Sequence, residues 1–316
     1  MPCQVSKSGK KMKVLKVIGG IATLVSFYFI FKIISRLKID FSVLLNIRTL
    51  FFVFLFSLIF SLSIFILSFS WKLILQFISK KKIPFWNIFL VYARSNIGKY
   101  LPGNFMHLAN RNLIGDNLSL KQSEIALSSF LEIIFMIIST LILSLSLSFE
   151  ETIRLLSQKL NVLTDKWLFF ILFSVILVIS GVVLFVFIFK KNLVKLYHNY
   201  VNMELVKLFF NVFILNVLCF AVLGVILILI IKFLLNTNIT NIKNIFNIQS
   251  IFVFSWLAGF ITPGSPGGIG VREFFLISLL SKYISPETVV ISVTLHRLIS
   301  IFGDIITFLF SFYKRA

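Results

Sequence analysis

Apolar side chains run along this chain in blocks too long and too even to belong to helices with one wet face. The blocks Val17 to Ser35, Thr49 to Trp71, Ile125 to Phe149, Trp167 to Phe189, Leu208 to Ile231 and Thr288 to Tyr313 are each long enough, as helices, to cross a hydrocarbon core of about 30 Å. Two further stretches, Ile83 to Gly115 and Ile248 to Ser281, are apolar but split by Pro102-Gly103 and Pro263-Gly264 into pieces too short to cross singly. Inside hydrocarbon every backbone donor and acceptor needs a partner, so such a break is tolerable mainly where it borders a protected, wet cavity. The pattern predicts an all-α polytopic membrane protein with about six full transmembrane helices and two re-entrant helical hairpins, over 83–115 and 248–281.

Charge placement adds an orientation. Lys and Arg are enriched in short cytoplasmic loops. With the N-terminus inside, seventeen basic residues fall in cytoplasmic segments and nine outside, where Asp40, Glu150, Glu151, Asp165 and Glu287 offset much of the charge. Both termini are therefore expected in the cytoplasm. The lysines from Lys7 to Lys16 ahead of Val17 resemble the start of a secretory signal, but no small-residue cleavage position follows, so this segment is read as a retained first span.

In this topology the two broken units become inverted copies arranged as an inverted repeat. The expected organisation is one integral membrane domain over 1–316: N-terminal tail and first span (1–48), first repeat (49–149), connector span (150–207) and second repeat (208–316). Each break has an arginine nine positions after its proline, Pro102 to Arg111 and Pro263 to Arg272. With a short gap, Leu127-Ser128-Ser129-Phe130 falls opposite Ser292-Val293-Thr294-Leu295, which sets Glu132 opposite Arg297.

Composition narrows the classes. With 59% aliphatic and aromatic residues and only 13% charged, no sizeable soluble domain can be accommodated. The formal charge of +20 flanks apolar blocks instead of forming one stripe, so anionic lipid headgroups, not nucleic acid, are the expected electrostatic partner. Cys3 and Cys219 are too few for a disulfide framework, and the three histidines lie too far apart for a metal set. No metal, cofactor or catalytic group is expected.

Charges inside spans cost about 2.5 to 3.5 kcal/mol near a helix centre, so they need a partner or a wet cavity. Glu132 and Arg297, one per repeat, are expected to face each other across a central cavity, with a purely structural ion pair as the competing reading. Arg297 and Asp304 share one helix face, two turns apart. The segment Pro263-Gly264-Ser265-Pro266-Gly267-Gly268-Ile269-Gly270-Val271-Arg272-Glu273 is the more specific motif. Its glycines permit unusual backbone angles and close approach, so amides and the following helix N-terminus can face an anion while Arg272 adds a bidentate contact. It lacks the Lys-Ser/Thr and the preceding strand of a soluble phosphate loop. Arg94, Asn96, Lys99, Asn104, His107, Asn110 and Arg111 place several donors around Pro102-Gly103; snorkelling to the cytoplasmic headgroups is the competing fate of Arg94 and Lys99, and headgroup or phosphate contact is favoured for Arg111 and less so for Lys99.

These residues carry a resemblance. Lys99-Tyr100-Leu101-Pro102-Gly103, the intramembrane Glu132 and Pro266-Gly267-Gly268-Ile269-Gly270-Val271-Arg272-Glu273 resemble the transmembrane domain of the lysylphosphatidylglycerol synthase/flippase family over nearly the whole chain. The resemblance implies a bacterial or archaeal inner-membrane protein that moves aminoacylated phosphatidylglycerol or polyprenyl-linked sugars. Two departures stand out. The sequence given ends at Lys314-Arg315-Ala316 without the synthases' aminoacyl-transferase domain, and Ile133, Ile134 and Phe135 follow Glu132 where relatives often carry Glu-Arg and then Asp.

The expected function is therefore a non-enzymatic lipid translocase for an anionic or polyprenyl-phosphate headgroup. Its binding residues would be Arg111, Glu132, Gly264, Gly267, Gly268, Gly270, Arg272, Glu273 and Arg297, with Pro102, Gly103, Pro263 and Pro266 at the breaks. The rival is a membrane glycosyltransferase using Glu150-Glu151, or an accessory subunit. A second copy of the chain and cell-envelope biosynthesis enzymes are the protein partners left open.

Overall fold

The computed structural model describes residues 46–101, 106–160, 203–234, 242–262 and 266–313. The expected spans 17–35 and 167–189 lie outside them, as do Pro102, Gly103, Pro263 and Gly264. The described residues are helical, and no strand occurs among them. The main helices are α1 (Ile47–Ser79), α2 (Phe85–Asn96), α3 (Met106–Ile114), α4 (Gln122–Leu160), α5 (Met203–Leu229), α6 (Ile242–Ile261), α7 (Val271–Leu280) and α8 (Pro286–Tyr313).

Five helical segments are long and apolar enough to cross a membrane: Ile47–Ser79, Gln122–Leu147, Met203–Lys232, Asn244–Ile261 and Pro286–Tyr313. Four of them match expected spans. The fifth corrects the sequence reading, because α6 has 20 residues, about 30 Å, and is not too short to cross singly. Its helix begins at Ile242, upstream of the expected start at Ile248. α4 also outruns its predicted span: 39 residues continue through Glu150-Glu151 to Leu160, where a short loop was expected.

The sidedness of α1 shows why this is a membrane helix. Ser57, Ser61, Ser63 and Ser68 are buried, while Phe51, Phe54, Leu58 and Leu62 are exposed, the reverse of a soluble helix. The inward hydroxyls are satisfied by their own helix, Ser57 Oγ donating to the Val53 carbonyl at 2.7 Å and Ser61 Oγ to that of Ser57 at 2.9 Å. Asn46 caps the start by accepting the Arg48 amide at 3.0 Å. Lys80, at φ 53°, ends the helix in the left-handed region, and its amide donates to the Gln76 carbonyl at 2.9 Å.

The chain divides into two compact units, one of residues Met1–Ile133 with Ile291–Ala316 and one of Ile134–Val290. In the first unit α1 and α8 run in the same direction, Ser61 Oγ reaching the Gly303 carbonyl at 3.2 Å while Phe65 meets Phe310. Gly303 permits that approach: a Cβ there would sit 3.0 Å from the Ser57 carbonyl oxygen. α2 runs antiparallel to both, with Phe89 stacked on Phe65 at 4.1 Å. α3 turns back along α2, so Gly98 lies against His107 and Tyr92 against Arg111.

In the second unit α4 and α5 run in the same direction, with Phe209 against Phe135 and Asn216 Nδ2 donating to Ser139 Oγ at 3.2 Å. α6 runs against them. Ser250 Oγ donates to the Ser144 carbonyl at 2.8 Å, and Gln249 Nε2 to that of Phe220 at 2.7 Å across Gly224. α7 returns along α6, Phe275 meeting Phe254 within the two helices and Gly268 meeting Gly259 nearer the loop.

Candidate functional site

The first buried polar cluster centres on Arg111 of α3. Its guanidinium is buried, lying 4.5 Å from the Trp71 ring and 4.2 Å from the Tyr92 ring. Two adjacent ring faces suit a planar, weakly hydrated cation. Nη1 forms a salt bridge with Glu132 Oε2 and reaches Ser129 Oγ at 3.5 Å. The second carboxylate oxygen accepts from Tyr92 Oη at 2.9 Å, and Trp71 Nε1 donates to Ser128 Oγ at 2.9 Å. Both oxygens of Glu132 are therefore occupied inside one unit.

This arrangement corrects two expectations. Glu132 takes Arg111 and Tyr92 as partners, not Arg297, and Arg111 is held by aromatic rings and a carboxylate instead of reaching headgroups at a membrane edge. The cause is local: α3 folds back on α2, bringing Arg111 beside the face of α4 that carries Ser128, Ser129 and Glu132. Arg297 is buried on α8, where its carbonyl accepts Ser300 Oγ at 2.7 Å.

A second cluster was only half visible in the sequence. Asp304, buried on α8, accepts from Asn96 Nδ2 at 2.8 Å, from Tyr100 Oη at 2.5 Å and from Lys99 Nζ at 2.6 Å. All three donors come from the end of α2 and the 3-10 turn Ile97–Tyr100 that continues it. The Lys99 side chain retains 26% exposure, against 0% for Asp304, and its Nζ lies 6.0 Å from the Phe60 ring and 5.4 Å from the Tyr100 ring. Two turns along α8, Arg94 Nη2 donates to the Ser311 carbonyl at 2.6 Å, and its guanidinium lies 4.7 Å from the Phe312 ring. The available signal was Asp304 itself, the only acid in α8 apart from Glu287 in its first turn. An acid so deep in an apolar span calls for a partner.

The glycine motif forms the α6–α7 connection. Gly267, Gly268 and Gly270 adopt φ of 58°, 75° and 86°, a left-handed run that side-chain-bearing residues resist. Gly268 packs on Gly259, where a Cβ would meet the Gly268 carbonyl oxygen at 3.2 Å and Arg272 Cβ at 3.0 Å. Arg272 is buried with its guanidinium 5.0 Å from the Phe252 ring. The Gly270 amide, expected to face an anion, donates instead to Glu273 Oε2 at 2.7 Å. The α7 N-terminus thus carries a carboxylate of its own. Pro266 opens the 3-10 turn Pro266–Gly268.

The predicted residues thus gather into separate sets. Arg111 and Glu132 share a cluster in the first unit, and Gly267, Gly268, Gly270, Arg272 and Glu273 share one in the second. No group of three or more His, Cys, Asp or Glu side chains that could hold a metal occurs among the described residues. The fold and its buried charges define a polytopic α-helical membrane protein. No protein-family model and no curated protein matches the chain.

Proposed function

We propose that this chain is a lipid translocase of the cell (inner) membrane, moving an anionic phospholipid or polyprenyl-phosphate headgroup between leaflets while the hydrocarbon chains stay in the bilayer. The carrying observation is how α2 and α3 begin and end. Lys81, just after α1, donates from Nζ to the Ser119 carbonyl, just before α4, at 3.1 Å, and Trp71 near the end of α1 reaches Ser128 near the start of α4. The two short helices therefore leave and return at one end of the long ones. α2 with the 3-10 turn that continues it extends about 26 Å, and α3, with 9 residues, about 14 Å, well short of the bilayer core. This supports a re-entrant hairpin whose polar tip lies at membrane depth.

The parallel course of α1 with α8, and of α4 with α5, agrees with the inverted repeat expected from loop charge. In that scheme alternating access rocks one repeat against the other. The resemblance to the lysylphosphatidylglycerol synthase/flippase membrane domain points the same way. The glycosyltransferase reading gains nothing from Glu150-Glu151, which lie within continuous α4.

Reconstitution tests the proposal. Proteoliposomes carrying fluorescent phosphatidylglycerol or a fluorescent prenyl phosphate should expose inner-leaflet label to an external quencher faster than protein-free vesicles. Equal rates for every lipid class would overturn the reading. Mass spectrometry of copurifying lipids should return a phosphate-bearing species as the main bound component.

A further inference from the structure

We infer that Lys72, framed by the Phe69 and Phe85 rings, holds the phosphate of an anionic phospholipid on the lipid-facing side of the first unit, in the leaflet at the α1–α2 turn. The site uses neither ion pair described above. Its lipid is a resident of the protein and not cargo, so the inference stands independently of the translocase reading.

Lys72 differs from the neighbouring cations in what it meets. Arg111 is paired with Glu132, Lys99 with Asp304, and Arg94 donates to the Ser311 carbonyl. Lys72 is half-buried, with Nζ 5.3 Å from the Phe69 ring and 5.9 Å from the Phe85 ring, and it makes no hydrogen bond or ion pair among the described residues. The sequence accounts for this: no Asp or Glu occurs between Asp40 and Asp116, so neither helix that frames Lys72 can supply an anion. Ring faces attract a cation, but an ammonium carries three donors that call for oxygen acceptors.

Depth selects the source of those oxygens. Ser63 is the middle of α1, and Lys72 stands nine positions beyond it by subtraction, about 14 Å. Half a hydrocarbon core is about 15 Å, so a centred span puts the ammonium at the hydrocarbon edge. A phospholipid already has its phosphate there, whereas an acidic peptide would have to bury its backbone to reach the same depth. Toward the bilayer middle, Phe69, Leu62 and Leu55 are exposed and recur every seven residues, an apolar line two turns apart along which an acyl chain can lie. Toward water, Lys80, Lys81 and Lys82 of the turn are exposed and draw anionic headgroups to this end of the helix. Lys72 belongs to α1 and Phe85 opens α2. A lipid seated on both ties the turn together, and its binding raises the stability of the folded chain.

The test follows melting temperature and lipid retention of the purified full chain in neutral detergent. Added dioleoyl-phosphatidylglycerol should raise the melting temperature, while dioleoyl-phosphatidylcholine and inorganic phosphate should not. Native mass spectrometry after gel filtration should show phosphatidylglycerol retained by the wild type, with affinity lowered about fivefold in Lys72→Met. That variant puts an apolar side chain at a lipid-facing position, so in lipid-free detergent it should melt no lower than wild type. Lys72→Arg should keep the site. Lys82→Gln removes the same charge from the exposed turn and should leave retention unchanged. Equal losses in Lys72→Met and Lys82→Gln would overturn the inference by showing attraction to net charge alone. Stabilisation by phosphatidylcholine or by inorganic phosphate equal to that by phosphatidylglycerol would overturn it as well, as would full retention in Lys72→Met.

Discussion

Arg111 and Glu132 look alike in the sequence, as intramembrane charges that need an explanation, and the structure answers both with one contact. Both are buried: each carboxylate oxygen has a donor and the guanidinium lies against two adjacent rings. Removing one partner leaves the other charge buried, so Glu132→Gln should destabilise the protein by about 3–5 kcal/mol, read as a large drop in melting temperature in detergent. Arg111→Met combined with Glu132→Leu should recover most of that loss. A Glu132→Gln protein with unchanged melting temperature and abolished lipid movement would contradict a structural role. The charges were legible because lipid makes them expensive. Their pairing was not, because the partners lie 21 positions apart on helices that meet only after α3 folds back.

Among elements, the α6–α7 connection shows two kinds of glycine. Gly270 has φ 86° and ψ −48°, and open space where a Cβ would point. Gly270→Ala should therefore act through backbone strain alone, costing about 1–3 kcal/mol. Gly259 sits within α6, where added atoms meet Arg272 Cβ and the Gly268 backbone. Gly259→Val should push α7 away from α6 and lower the melting temperature by overpacking, about 1–3 kcal/mol. Calorimetry or thermal fluorescence on both variants checks this, and a neutral Gly259→Val would show that the close approach is unimportant. The glycine cluster was visible as a motif, but its chief occupant was not foreseen: Glu273 accepts the Gly270 amide. The start of α6 was missed because the apolar stretch begins only at Ile248, after Asn244 and Asn247. Within the folded helix Gln249 lies over Gly224 and donates to the Phe220 carbonyl, so a polar group inside the span has its partner.

For the whole molecule, the expectation that can be checked is sidedness. In a background with Cys3 and Cys219 replaced by Ser, Lys81→Cys and Ser119→Cys should react with a membrane-impermeant maleimide only after permeabilisation, because loop charge predicts both ends of the proposed first hairpin on the cytoplasmic side. Lys282→Cys should react in intact cells. Labelling of Lys81→Cys and Ser119→Cys from opposite sides would rule out the re-entrant arrangement. Full crossing by α6, which its length allows, would instead bring the residue after its glycine loop to the cytoplasmic side, so Gly270→Cys should stay unlabelled until permeabilisation.

Membrane class, helical content and the places where helices must break were set by composition and local pattern. Lipid offers the backbone no hydrogen-bond partners, so a run of some twenty apolar residues has little choice but to be a helix. Charge at the loops adds an expected direction. Which cation meets which anion was decided by chain reversal: Lys99 goes to Asp304, 205 positions away by subtraction of their numbers, and Arg111 goes to Glu132. In a medium of low dielectric these pairings govern where polar groups can sit, yet they depend on crossings between helices far apart in the chain, which no local periodicity encodes.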